Sequence, residues 1–532
     1  MASLLSVWGA RIAYPFDLEW MEGGMLAHAW RLQRGEPLYL PPNAEFFPFL
    51  YPPGYSALVA FVGTFVGLAP AVGRGLSILG TLASAGAIGF AVSARGGRPV
   101  LAWGAAATWL GTYPQTGAFF DLVRPDAVGV GALAWAVTLA LRPRRGADIA
   151  CGLLVVLASL VKHNLGLVAV PLFVAFGLRD VRSALRFAGV ILGVGGLVGG
   201  MLEWRTEGRF LTYLLDVPRS HPLVWSRAVQ ETPWELSKAL ATPLVVVAGA
   251  VLVTAVQQRG RLPRIVVGGV PVWAGLLAGW WATSTRAPGH AGTTPFGLGV
   301  TVAALVAMAF ALVFLAVGRR WGGRGTVAPD VVLASGVVAV LSVGSTLMRV
   351  HDGGFANVQM PMFWAWSLLF GLVLAELDAY RSLRPGLDLA VALTLATAVQ
   401  RLPAQALTPT TEDVATGEAF VEALQDIEGP VLSPFAAWLP TYAGHPPSLH
   451  AMAAWDCQHP HGPFYGDLAR LDEAIRQAHW SAVLGGNHAL LVDQPFAGSY
   501  TAGPLIARPR QAPMRPKSGF PAMPIRVLTP VD

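Results

Sequence analysis

Three carboxylates fall within six residues of one another near the start of the chain, Asp17, Glu19 and Glu22 in the segment Phe16-Asp17-Leu18-Glu19-Trp20-Met21-Glu22-Gly23-Gly24. The stretch from Glu19 to Arg34 reads as an amphipathic helix with Trp20, Leu26, Ala27 and Trp30 on its apolar side. Glu19 and Glu22 would then share a face at i, i+3. Asp17, two residues ahead, stands where an N-cap would. The plain reading of such a cluster is capping and surface solvation. The chemical reading is a general base, because a carboxylate held at an interface is partly desolvated and poised to accept a proton from a hydroxyl.

Cations that suit a phosphate recur further on: Arg74, Arg124 between Asp121 and Asp126, Lys162 followed by His163 and Asn164, and Arg349 just before His351. An Arg or Lys between low-dielectric walls binds a phosphate strongly. Lys162 stands out, since it interrupts a 30-residue apolar stretch and is hard to explain by solvation. Its plainer reading is snorkelling to the interface. Arg124 with Asp121 and Asp126 reads equally as a loop ion pair, and His351, Asp352 and Asn357 as a turn around Gly353-Gly354. Tyr51 opens Tyr51-Pro52-Pro53-Gly54, where prolines end one helix and begin another. No metal site is expected: Asp456-Cys457-Gln458-His459-Pro460-His461 matches no closed zinc spacing. Cys151 and Cys457 suggest neither a disulfide framework nor thiol chemistry.

The elements that position these groups are membrane helices. Of 532 residues 54% are hydrophobic and 13% charged, far below the charge of a soluble protein, so the bilayer is the expected solvent. Helix-length apolar stretches occupy 75–94, 100–119, 127–141, 187–202, 239–256, 265–282, 296–317, 331–348, 360–377 and 387–399. The net charge of +6 comes from arginines scattered in short loops, a topology signal rather than a nucleic-acid footprint. Arg95 and Arg98; Arg142, Arg144 and Arg145; Arg179, Arg182 and Arg186; Arg259, Arg261 and Arg264; Arg319, Arg320 and Arg324; and Arg381 and Arg384 fall in alternate loops, assigned to the cytoplasm.

That alternation requires residues 148–177 to be two short helices meeting outside, at Lys162. One continuous helix would put the ammonium near midplane, at roughly 3 kcal/mol, and flip every later loop. By the same parity residues 55–71 dip in and return, with a full span as the competing reading. The first sixteen residues hold only a short apolar run, which suggests a first transmembrane helix lost to a start codon assigned too far downstream. The loop 203–237, with Tyr213, Trp225 and Trp234, either covers the site or lies along the interface. The expected fold is an all-α polytopic membrane protein of about 11–13 membrane helices. It spans residues 1–400 with a first external loop at 12–54; residues 401–532 form a small extracytoplasmic α/β domain with an irregular or edge-covering Pro/Arg-rich tail from Arg508.

The acidic cluster in the first loop, the helix leading to Gly35-Glu36-Pro37-Leu38-Tyr39, the Tyr51-Pro52-Pro53 block before a dipping helix, and Gly73-Arg74 together resemble the GT-C superfamily of polyprenyl-phosphate-sugar-dependent glycosyltransferases. The likeness is to bacterial enzymes related to protein O-mannosyltransferases and lipid A aminoarabinose transferases. Asp121 to Asp126, Lys162-His163-Asn164 and Gly353 to Pro361 follow in the expected order. The resemblance implies an inner-membrane glycosyltransferase that moves a sugar, with inversion, from a polyprenyl-phosphate donor to an extracytoplasmic envelope glycan, lipid or protein. It implies an Asp or Glu of the first loop as base. The family's Asp-Glu pair is absent here, so Asp17 and Glu19, then Glu22, share that expectation. Lys162, Arg124, Arg349 and Arg74 are the expected phosphate ligands, and His163, Asn164, Asp126, Tyr51, His351 and Asn357 the expected substrate contacts. No cofactor is fixed; some members of the superfamily use a divalent cation and others none. The alternative is a transporter or flippase of lipid-linked precursors, which calls for midplane charges and internal repeats that the spans do not display.

The loop assignment predicts that a reporter fused at Arg145 reports the cytoplasm and one fused at Thr410 the outside; an external signal at Arg145 would overturn the map.

Overall fold

The structure, a computed structural model, describes residues 2–142, 144–257, 329–490, 496, 498–507 and 513–531. The expected spans 265–282 and 296–317, and the arginines of 259–264 and 319–324, lie outside the described residues.

Helices dominate, and their order follows the apolar runs closely: α1 Ala2–Ile12, α2 Glu22–Gln33, α3 Gly54–Val66, α4 Pro70–Ala94, α5 Pro99–Gly111, α6 Pro125–Leu141, α7 Ala147–Val161, α8 Ala169–Arg179 and α9 Val181–Arg205. They continue as α10 Glu231–Gln257, α11 Pro329–Val350, α12 Met360–Leu377 and α13 Arg384–Gln400. Prolines stand in the first turns of α4, α5, α6, α12 and α13, where a missing N–H costs nothing. Among the described residues five helices are long and apolar enough to cross a membrane: α4, α9, the 333–350 part of α11, α12 with its preceding turn, and α13 with its own. Exposed Phe65, Trp103, Leu192, Leu197 and Trp204 give the helical layer an apolar exterior, as a bilayer requires.

α12 is the central post, enclosed by α4, α5, α6, α10 and α11. α4 and α6 approach one another closely. A Cβ at Gly80 would lie 2.7 Å from Ala127 O, and one at Gly131 2.8 Å from Gly80 O. Bare backbones therefore meet, the small-residue packing that stabilises helix pairs where no hydrophobic drive exists between them.

One end of this layer gathers the arginine-rich turns. Arg142 donates to Ala94 O at the end of α4 (2.6 Å), Arg179 to Ala140 O at the end of α6, and Arg186 pairs with Asp148 at the start of α7 (2.7 Å). Arg95 pairs with Glu376, and Arg98 with Asp378 (2.7 Å) and Asp388 (2.8 Å), which brings the α12–α13 turn to the same end. Since α7 begins and α8 finishes there, the chain between them must go out and come back. The reversal is at Lys162, whose extended backbone (φ −152°, ψ 106°) stops α7 before the 3-10 turn His163–Val168. The hairpin inferred from charge parity is therefore a feature of the fold. The dip is also present: α3 has 13 residues, begins with Tyr55 hydroxyl on Gly73 O (3.1 Å), and ends three residues before α4. It stays beside the first turns of α4 and never reaches the arginine end.

Residues 401–532 depart from expectation in their tail. An acidic helix runs Thr411–Gln425 with a Thr410/Asp413 capping box, and two short strands, β1 Val431–Leu432 and β2 Ala482–Gly486, pair in parallel. The tail, however, is no edge cover. Pro524–Pro530 is an inner strand, β4, in a four-stranded sheet of order β1-β2-β4-β3, with Tyr500–Leu505 as β3. Its prolines stand at the two ends of the strand, where the ladder does not need their N–H. The loop 203–237 is ordered between the two parts: Arg209 and Tyr213 donate to the carbonyls of Tyr39 and Leu40, and Tyr213 stacks on Phe464 at 4.4 Å.

Replacing Gly131 by Val should force α4 and α6 apart and cost about 1–3 kcal/mol. The check is a lowered thermal unfolding midpoint of the purified protein, with Ala132→Val, which also creates a valine in α6 but at a half-buried position, as the control.

Candidate active site

All the chemistry-bearing residues lie at the end opposite the arginine turns. Arg74, in the first turns of α4, meets Glu22, at the start of α2, in a fully buried ion pair of 2.6 Å. All five N–H bonds of Arg74 are taken, by both oxygens of Glu22 and by the carbonyls of Arg11, Tyr14 and Phe16. Glu22 in turn accepts from Val123 N and Leu18 N, both at 2.7 Å. Burial raises the Glu22 carboxyl, but Arg74 and these amides more than reverse that and leave it below the usual carboxylate range. A saturated, ionised pair of this kind fixes the first loop and has no donor left for a phosphate.

Glu19 and Asp17 sit differently from the expected helix face. The helix begins at Glu22, three residues later than the pattern suggested, and Asp17 caps nothing: the residue before the helix is Met21, with no side-chain cap. Asp17 is half-buried, with Oδ2 shut from water and without a hydrogen-bond partner. Burial, then Glu22 close by, pushes its carboxyl well above the usual range. Glu19 is 2% exposed, accepts from Met21 N (3.2 Å) and lies 3.5 Å from Arg124 Nη1. Burial raises its carboxyl to about 7 against the pull of Arg124. The tail packs over it: Ser518 N donates to Leu18 O (3.0 Å), and Gly519 has φ +74° at a point where a Cβ would lie 2.7 Å from Glu19 Cγ.

From Glu19 the charges run on in sequence. Arg124, in extended conformation just before Pro125, donates to the Tyr51 hydroxyl (2.7 Å) and sets its Nε 4.0 Å from Asp126 Oδ2. Asp126 pairs with Lys162 at the tip of the hairpin and accepts from Asn357 Nδ2 (2.9 Å). The four charges cancel in pairs, as burial demands. Spare donors remain: Arg124 Nε is buried without a partner, and Lys162 shows a single bond for its three N–H. His163 Nδ1 and Asn164 Oδ1 are likewise buried and unpartnered beside it. Orphaned polar atoms clustered on one side of a charged network mark a place where a polar ligand is accommodated.

Arg349 belongs to a neighbouring cluster. It is paired with Glu231 and with Glu235 (3.2 Å) and donates to Gly354 O (2.6 Å), while Gln359 holds Glu235. His351 lies against Pro218 O (3.1 Å) in the turn through Gly353, φ +77°. Asn357 and Gln359, on one 3-10 turn, join the two clusters.

Several anchors were not legible as site residues. Arg11 pairs with Asp121 (2.6 Å) and donates to Leu407 O and Ser518 Oγ, so it ties α1 to the tail. His450 accepts from Met452 N at Nδ1, so its Nε2–H donates to Trp20 O (2.6 Å); Trp20 is boxed by His450, Trp455 and Phe520. Burial lowers His450 to about 3, and it stays neutral. The signal for both was faint: an arginine in an apolar amino terminus, and histidines in an aromatic-rich loop. Among the described residues no group of three or more His, Cys, Asp or Glu is arranged for a metal, and Cys151 and Cys457 are each buried and free.

No protein-family model matches this sequence, and no curated protein matches it. Among solved structures, ArnT from Cupriavidus metallidurans in the apo state aligns over 99% of this chain and 96% of that one, at TM-score 0.46 and 16% identity. The same protein bound to undecaprenyl phosphate aligns over the same shares, at TM-score 0.46 and 14% identity.

Removing either partner of the Glu22–Arg74 pair strands a buried charge. Glu22→Gln and Arg74→Met should each cost about 3–5 kcal/mol. The double variant should lose less than the sum of the two, read as unfolding midpoints in a double-mutant cycle.

Proposed function

We propose that this protein is a GT-C-type glycosyltransferase that moves a sugar, with inversion, from a polyprenyl-phosphate donor to a hydroxyl-bearing acceptor of the cell envelope, at the extracytoplasmic end of its helices. The observation that carries the reading is the Glu19–Arg124–Asp126–Lys162 network, gathered from three separate segments at the helix end opposite the arginine turns.

In this reading Arg124 and Lys162 hold the donor phosphate through their spare N–H groups, and phosphate leaves with its charge already compensated. Asp126, held by Asn357, pairs with Lys162 and aims it. Tyr51, His163 and Asn164 line the same place. Glu19 is the general base: its carboxyl near 7 is ionised often enough to act and basic enough to take the acceptor's proton. Asp17, with an unpartnered oxygen, stands second and assists the acceptor side. Glu22 and Arg74 are positioning residues, and Arg349 lies outside the phosphate set because Glu231 and Glu235 occupy it. A base is active once its proton is lost, so activity rises with pH. The reading favours an enzyme over a transporter because, among the described residues, the network charges cluster at one end of the helices.

Glu19→Gln should abolish sugar transfer with folding and membrane insertion intact, and wild-type kcat/KM should fall as pH drops through about 7. Lys162→Met should weaken donor binding more than it slows the chemistry. Full activity in Glu19→Gln would sink the assignment of the base; full activity in Lys162→Met and Arg124→Gln would sink the donor site.

A further inference from the structure

We propose that a cavity of about 420 Å³ on the sheet of residues 431–530 is a binding site for a small amphipathic anion, an apolar body carrying one carboxylate. Phe435, Leu484, Ile525 and Leu528 supply apolar walls, and Arg526 and His488 are its polar groups. The volume falls in the range of small-molecule sites.

Arg526 carries the argument. It lies on β4, opposite Gly485 of β2 and Leu505 of β3, and it is half-buried. Arg11, Arg74, Arg124 and Arg349 are all held by carboxylates, but Arg526 has no hydrogen bond or ion pair among the described residues. A guanidinium drawn over apolar walls without a counter-ion keeps its desolvation cost until an anion meets its planar fork. His488 adds a neutral ring N–H at the same rim, since burial lowers its pKa.

The wall is tightly built at one point: Gly486 packs on Phe435 so closely that a Cβ would lie 2.2 Å from its ring. The cavity also adjoins the aromatic box of the first loop. Phe520 touches both His488 (4.7 Å) and Trp20 (5.2 Å), and Trp455 donates to Leu490 O (2.7 Å) on the cavity wall. Occupancy should therefore register in tryptophan emission.

A carboxylate on an apolar body occurs both as a free aryl acid and as the end of a fatty acyl chain. The test uses 4-phenylbutyrate for the first, decanoate for the second and 4-phenylbutanol as neutral control. Each is titrated calorimetrically and by tryptophan emission into the full chain in lipid nanodiscs. Saturable one-site binding of at least one acid is expected. Arg526→Gln should weaken it about tenfold or more, Arg526→Lys should keep part of it, and Ala502→Trp, which fills the cavity, should remove it. Each variant is first shown to unfold at the wild-type temperature. Equal binding of the alcohol, unchanged binding by Arg526→Gln, or no saturable binding of either acid would overturn the proposal.

Discussion

Burial of charge where water is scarce is the constraint on which this architecture turns, and the Glu22–Arg74 pair answers it first. One guanidinium satisfies the carbonyls at the end of α1, the bend through Tyr14 and Phe16, and a carboxylate at the start of α2. That carboxylate also receives the amides of Leu18 and Val123. Five segments thus meet at two side chains. A buried pair adds little net stability over an apolar one, but it dictates a single geometry, since any other leaves a charge or an amide unpaired.

The second pair of charges extends the same logic with a difference. Arg124 and Lys162 have counter-ions in Glu19 and Asp126, yet donors are left over. A structural pair closes on itself, as Glu22 and Arg74 do; a site keeps capacity in reserve. The contrast between the two networks, a few residues apart in the chain, separates the saturated Glu22 from Glu19, whose network keeps unpartnered donors.

The helical layer is polarised between its ends. Arginines that pair with helix termini and with Asp148, Glu376, Asp378 and Asp388 pin one end. The Glu19–Arg124–Asp126–Lys162 network sits at the other, reached by the hairpin through Lys162 and the short return of α3. Over that second end lie the sheet residues and the 203–237 segment, so Glu19 is roofed by Ser518 and Gly519 from the far end of the chain.

Much of this was legible in residue order. Apolar runs fix helices because a backbone in an apolar medium must satisfy its own hydrogen bonds, and loop arginines alternate because charge does not cross that medium cheaply. Parity alone therefore demanded the reversal at Lys162. Spacing likewise singled out Asp17, Glu19, Arg124 and Lys162, and the family resemblance Asn357, as candidates. The sequence by itself determined which segments are helices, which loops share an end and which residues are candidates for chemistry. Only tertiary structure decided their roles. Glu19 and Glu22 are three residues apart and chemically identical, yet Arg74 and two amides make Glu22 an ionised strut, while burial outweighs the pull of Arg124 and raises Glu19 to about 7. The tail became an inner strand for the same reason: its partners, β2 and β3, are set by long-range pairing, which no local pattern encodes.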